Sequence, residues 1–87
     1  MKLPPVLDLN AAKALRDEFL ERRGDPVKID ASEVSKLGGL CLQVLLAAQV
    51  MWKADGAEFE IENPSGAFTE AARLAGANEL APSVAGA

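Results

Sequence analysis

Apolar side chains recur every three or four residues between Ala11 and Arg23, where Ala12, Leu15 and Phe19 share one face, with Leu20 as a further candidate for it. This spacing predicts an amphipathic helix with its apolar face on the core. A polar residue just upstream can cap the start of this helix, either Asp8 or Asn10.

A second helix is predicted from Gly39 or Leu40 to Ala54, and it is apolar on almost every side. Such a helix is either buried on most sides or presents an apolar face at the surface. The pattern predicts a third, shorter helix over Ala67–Ala75, with Phe68 directed toward the core and Gly76 ending the helix.

Three short segments have the composition of strands: Leu3–Val6, Val27–Asp30 and Glu58–Glu62. Two prolines confine the first segment to a sheet edge or a very short length. Residues 31–36 form a polar loop in which Val34 points inward. Strands that alternate with helices predict an α/β fold, with a short, mostly parallel sheet and three main helices packed on it. We expect one domain over residues 1–81 and a frayed tail over residues 82–87.

Charge and length limit the classes of function. The formal net charge is −4 and no stretch is strongly basic, so the sequence does not predict nucleic-acid binding. The longest apolar stretch, Leu40–Trp52, is too short to span a bilayer, and we expect no direct membrane insertion. No targeting segment is apparent at the N-terminus, and we therefore expect a cytoplasmic protein.

The chain contains one cysteine and no histidine. It therefore lacks the usual general base and the commonest metal ligand, and we expect no metal, no cofactor and no catalysis. An enzyme with Cys41 or Ser32 as nucleophile is a disfavoured alternative. Cys41 is interpreted either as a small buried hydrophobe or as a reactive thiol at a helix N-terminus.

Residues 27–46 read VKIDASEVSKLGGLCLQVLL. This segment resembles the core signature of STAS domains, in which a strand ends in Asp-x-Ser-x-Val and a turn then opens a helix. Asp30, Ser32 and Val34 match the first part, and apolar positions such as Leu42 and Leu45 match the helix. With weaker matches in the flanks, the resemblance covers residues 6–80 and implies the STAS fold.

Two departures from the family pattern change what the resemblance implies. Phosphorylated anti-anti-sigma factors carry an aspartate and a phosphorylatable serine in the turn, where this chain has Gly38 and Gly39. Gly39 cannot accept phosphate, so the usual phosphosite is lost, and Ser32 and Ser35 are the alternative phosphosites. Members also begin with two paired strands, whereas this N-terminus has room for one.

The resemblance implies a bacterial regulatory module of the anti-sigma factor antagonist type, which docks on a protein partner without the phosphoserine switch. The partner is a kinase-like anti-sigma factor or a signalling histidine kinase, including those of chemotaxis-type systems. Alternatively, the chain is the STAS subunit of a lipid ABC transporter complex and binds the transport ATPase. The expected docking surface is the loop from Asp30 to Leu40, the start of the second helix and the Asp8–Asn10 loop. Its partner-binding residues are Asp8, Asn10, Ser32, Gly38, Gly39, Leu40, Gln43 and Ala47.

The outer face of the second helix adds to this hypothesis. Leu42, Leu45 and Leu46, with Gln49 or Trp52, can face the sheet. Leu40, Gln43 and Ala47 then lie outside, and exposed apolar surface of this kind indicates a partner. Leu40 could instead fold back under the loop. Gly38 and Gly39 either form a docking or anion-binding lip at the helix N-terminus or meet a need for positive φ or close packing.

Overall fold

The strands of the described residues form two two-stranded parallel sheets, and the N-terminal segment of the chain lies beside one strand of each. In a computed structural model, which describes residues 1–77, β1 (Val6–Leu7) pairs in parallel with β3 (Lys36–Leu37). Upstream, Lys2 forms a parallel bridge with Asp30, the last residue of β2 (Val27–Asp30). β2 and β3 therefore lie end to end along one stretch of chain, and the residues between them, 31–35, form a short loop with a turn, which we call the bulge.

On its other side β2 pairs in parallel with β4 (Phe59–Glu62), with Ile29 opposite Ile61 in the core. The helices are α1 (Leu9–Glu21), α2 (Gly39–Ala54) and α3 (Gly66–Leu74). The predicted α/β class, the parallel pairing and the three helices are confirmed. The predicted tail, residues 82–87, lies outside the described residues.

Several predicted bounds were wrong for identifiable reasons. The predicted strand Leu3–Val6 is interrupted by its prolines, and the regular strand begins only at Val6. β3 was not predicted at all. α1 begins at Leu9, because the carboxylate of Asp8 accepts hydrogen bonds from the backbone N–H groups of Asn10 and Ala11. Asn10 is therefore a helical residue, and the predicted Asp8–Asn10 loop does not exist.

The core is formed by apolar side chains from every helix and strand, and Val34 in the bulge is buried as predicted. At its centre Trp52 is fully buried and contacts Phe19 and Phe59 through its ring. The residues of α2 that face this core differ in part from those predicted. They are Cys41, Leu42, Leu45, Ala48 and Trp52, whereas Leu46 and Gln49 are only half-buried.

The bulge is attached to its surroundings at several points. The backbone N–H of Ala31 donates to the carbonyl of Glu62, and the carbonyl of Ala31 accepts from the backbone N–H of Ser65. The Ser65 hydroxyl donates to the carbonyl of Val34. The same hydroxyl accepts from the backbone N–H of Phe68 and so caps α3. These hydrogen bonds hold the bulge against the start of α3. In the chain, the bulge is followed by β3 and then by the start of α2.

Candidate functional site

The first turns of α1 and α2 lie side by side. Because β1 and β3 are parallel and in register, each strand passes its chain directly into a helix at the same edge of the sheet. The backbone N–H of Gly38 donates to the carbonyl of Leu7 at 2.8 Å. The thiol of Cys41 donates to the carbonyl of Asp8 at 3.2 Å. Asp8 and Gly38, which are distant in the sequence, therefore belong to one surface.

The two glycines at this junction have different surroundings. A Cβ atom on Gly38 would lie 3.0 Å from the carbonyl oxygen of Leu7, which is a backbone atom that cannot rotate away. A Cβ atom on Gly39 would have no atom of residues 1–77 within 4 Å. Gly38 has an ordinary extended conformation, with φ of −77°. Close packing therefore explains Gly38, whereas the fold does not require glycine at position 39.

This contrast gives a paired prediction for stability. Gly38→Ala is expected to lower the free energy of unfolding by about 1–3 kcal/mol, because its methyl group crowds the Leu7 carbonyl. Gly39→Ala is expected to raise it by about 0.4–1 kcal/mol, because the unfolded chain loses freedom and the folded chain gains no clash. Urea denaturation of both variants measures the difference, and equal effects of the two substitutions would contradict the assignment.

Cys41 lies behind the glycines and is fully buried. Burial, and then the negative charge of Asp8, raise the pKa of its thiol above the usual value. A reactive thiol at a helix N-terminus requires the opposite shift in pKa and access to solvent. The position therefore favours the interpretation of Cys41 as a small packed side chain.

The two serines of the bulge form hydrogen bonds with neighbouring backbone or side-chain groups. The backbone N–H of Ser32 donates to Asp30 at 2.9 Å, and hydrogen bonds from Ser32 lower the pKa of the Asp30 carboxyl. The hydroxyl of Ser35 donates to the carbonyl of Pro5 at 3.0 Å. Both residues are exposed, but neither lines the groove described next.

Leu40, Gln43 and Ala47 meet in a groove between α1 and α2 that has a volume of about 240 Å³. Arg16, Phe19 and Leu20 contribute the α1 side of the groove. Leu40 is 45% exposed, so it does not fold back under the loop. A second pocket of about 230 Å³, which shares Leu40 with the groove, extends it to Leu9 and Lys13 near the start of α1.

Two exposed leucines of this surface were not predicted to belong to it. Leu9 is 73% exposed and Leu20 is 52% exposed, although both are leucines on an otherwise amphipathic helix. The buried positions of α1 are Ala12, Leu15 and Phe19. Leu9 and Leu20 lie outside the buried face of α1. Two leucines beyond those that the buried face needs are the signal in the sequence that could have identified them. Asn10, by contrast, is exposed on the first turn and lies outside the groove.

Comparison with known proteins identifies one family. A family model described as "Mlab, STAS domain" matches residues 1–82. A search of curated proteins found no match. Within residues 1–77, no helix has the length and apolar character needed to cross a bilayer. The same part of the chain contains no group of three acidic or thiol side chains able to hold a metal ion.

Proposed function

This chain belongs to the STAS domain family, and we propose that it is a docking module without catalytic activity. STAS domains generally mediate protein–protein interactions, in regulatory systems or in association with transporters. The observation that carries the proposal is that the first turns of α1 and α2 lie side by side. At this point the exposed Leu40 follows Gly39, whose Cβ position faces open space. A partner can approach the backbone closely at this point, because no side chain in the described part of the chain lies within 4 Å of the Cβ position of Gly39.

The proposed mechanism is binding and release without a phosphoserine switch. Gly39 has no hydroxyl group, and the serines at positions 32 and 35 lie outside the α1–α2 groove. A phosphate on either serine would therefore lie outside the lining of that groove. Docking in this proposal is constitutive or depends on the state of the partner.

The first candidate partner is a kinase-like protein of bacterial signalling, namely an anti-sigma factor or a histidine kinase, including one of a chemotaxis-type system. The second is the ATPase of a lipid ABC transporter. The glycine at position 39 favours a stable complex, because a subunit that remains bound to its ATPase needs no phosphate to release it. That observation makes the transport ATPase a serious second candidate.

The proposal assigns no catalytic step to the chain. Cys41 is fully buried with a raised pKa, and the sequence contains no histidine to activate a hydroxyl nucleophile. The proposal places the protein in the cytoplasm, where an unpaired cysteine stays reduced.

A tagged pulldown from the native cell, followed by mass spectrometry, tests this function with Gly39→Glu. The glutamate enters open space at the first residue of α2, where the helix dipole favours a negative charge. The fold is therefore kept while the surface is blocked. Gly66→Glu is the matched control, because Gly66 is the first residue of α3 and also faces open space.

We expect the wild type and Gly66→Glu to recover the same ATPase or kinase, and Gly39→Glu to lose at least about nine-tenths of it, a tenfold fall in affinity. The identity of the protein recovered decides between signalling and transport. Equal recovery by all three proteins would place the docking surface elsewhere. Recovery of neither an ATPase nor a kinase by the wild type would refute the proposed class of partner.

A further inference from the structure

The groove between α1 and α2 has the dimensions of a helix-binding site. Its lining residues run from Leu9 to Leu20 on α1 and from Leu40 to Met51 on α2. Each of these stretches rises by about 16 Å, which is three turns of helix. Three leucines along it, Leu9, Leu20 and Leu40, are between 45% and 73% exposed. Exposed leucines along a groove of this length can receive the apolar face of an amphipathic helix.

The charge of the groove is opposite to that of the whole chain. Among the described residues that line it, the charged ones are Lys13 and Arg16, both cations, whereas the formal net charge of the chain is −4. The positive end of the α2 dipole lies at the same end of the groove as Leu40. The groove is therefore apolar along its floor, and its α1 rim carries two cations, of which Arg16 also forms an exposed ion pair with Asp17 at 3.5 Å between Nη2 and Oδ1.

We propose that this groove binds one amphipathic helix of a protein partner, with apolar side chains on one face and carboxylates flanking them. The apolar face packs on the three exposed leucines, and the carboxylates lie against Lys13 and Arg16. The inference rests on the proposed docking function and specifies the chemistry of the partner segment.

Charge distinguishes this occupant from two others. A symmetric dimer would bring the same patch against itself, and the cationic rim of one copy would then face that of the other. An anionic membrane would attract two cations but repel a chain with net charge −4. An amphipathic acidic helix from a partner can pack its apolar face on the floor of the groove and place its carboxylates against the two cations of the rim.

Selection from a displayed library of single helices with randomised surface positions tests the inference. The immobilised wild type is the bait, and Leu40→Asp is the bait for subtraction. Affinities of the selected peptides are then measured for the wild type and for the double variant Lys13→Glu/Arg16→Glu. The matched control is Lys53→Glu/Arg73→Glu, which changes net charge equally at two exposed cations outside the groove.

We expect the selected helices to carry acidic residues beside an apolar stripe. Their affinity should fall at least about tenfold with Lys13→Glu/Arg16→Glu, because attraction becomes repulsion at two positions, and should change less than about twofold with the control. Their affinity should also fall as salt is raised. No enrichment over Leu40→Asp, or selected helices without an acidic bias, would overturn the proposal.

Two direct measurements test the rejected occupants. Sedimentation of the wild type as a dimer that the selected peptides dissociate would assign the groove to a second copy. Co-sedimentation with phosphatidylglycerol vesicles that Leu40→Asp abolishes would assign it to a membrane. Either result overturns the acidic helix.

The outcome is separable from that of the pulldown. If the ATPase or kinase is recovered equally by Lys13→Glu/Arg16→Glu, docking stands and the groove is not its site. If no such partner is recovered but acidic helices bind as expected, the groove stands and the proposed partner class fails.

Discussion

Trp52→Ala is expected to remove about 3–5 kcal/mol from the free energy of unfolding, which is comparable with the lower end of the total stability expected for a domain of this size. Typical values of about 0.05–0.15 kcal/mol per residue give about 4–13 kcal/mol for 87 residues. Trp52 is fully buried and makes edge contacts with Phe19 and Phe59. Its indole N–H also donates to the carbonyl of Asp25 at 2.7 Å, which ties α2 to the turn before β2.

Far-UV circular dichroism during urea denaturation is the appropriate measurement, because Trp52 is the only tryptophan and its fluorescence disappears with it. Val50→Ala is the control within the same helix; Val50 is 60% exposed, so we expect a change within about 0.5 kcal/mol. Trp52→Phe keeps a ring but loses the indole N–H, and should fall between the two. A loss below about 1 kcal/mol for Trp52→Ala would show that the aromatic cluster is not the centre of the core.

The elements predicted well were those specified by their own residues. β2 and α2 have the predicted bounds, because a strict alternation and a long apolar run leave few other conformations for these segments. β3 consists of Lys36 and Leu37 and has no pattern of its own. It exists because the N-terminal segment, about 30 residues earlier, lies beside it, and a parallel pairing of this kind cannot be read from local sequence.

The candidate site divides in the same way. The Gly-Gly pair was identified from the sequence, but the difference between its members depends on the carbonyl of Leu7, which only the folded chain brings to Gly38. Leu40 was predicted to lie near the outer face, whereas Leu9 and Leu20 were not part of the predicted surface. Their exposure follows from how α1 packs beside α2, because that packing decides which of its apolar positions remain outside.

The space at position 39 bears on the proposed absence of a phosphate switch. A side chain there would meet no neighbouring atom, so steric restriction does not account for the absence of a serine. A glycine at the first residue of α2 costs stability relative to alanine and leaves the backbone uncovered. This combination is what a surface requires if a partner packs directly against the helix start. The glycine thus supports docking by contact over docking by phosphate recognition.

The largest difference in rate is expected for chemical modification of Cys41. The thiol of Cys41 is fully buried and donates a hydrogen bond to the carbonyl of Asp8. A disulfide reagent can therefore reach the sulfur only when the structure opens. An opening free energy of about 4 kcal/mol or more slows the reaction at least about a thousandfold relative to the unfolded chain. Stopped-flow labelling in native buffer and in urea gives the two rates.

The matched control moves the thiol by two residues, in the double variant Gly39→Cys/Cys41→Ala. Position 39 is exposed and open, and it is the first residue of α2, where the helix dipole lowers the pKa of a thiol. We expect this variant to react at least as fast folded as unfolded. If native Cys41 reacts within about tenfold of this control, the thiol is accessible, and an enzyme that uses it as nucleophile again becomes a serious alternative.

The pH dependence of stability provides an independent check on the same thiol. Its pKa is raised above 9.0 in the folded chain, so the thiol of the unfolded chain ionises first as the pH rises. The stabilisation associated with the protonated thiol is therefore complete below pH 9.0 and is lost as the pH rises through the folded-state pKa. Wild type should lose stability in this window relative to Cys41→Ala, and parallel profiles would show that the thiol is as solvated as in the unfolded chain.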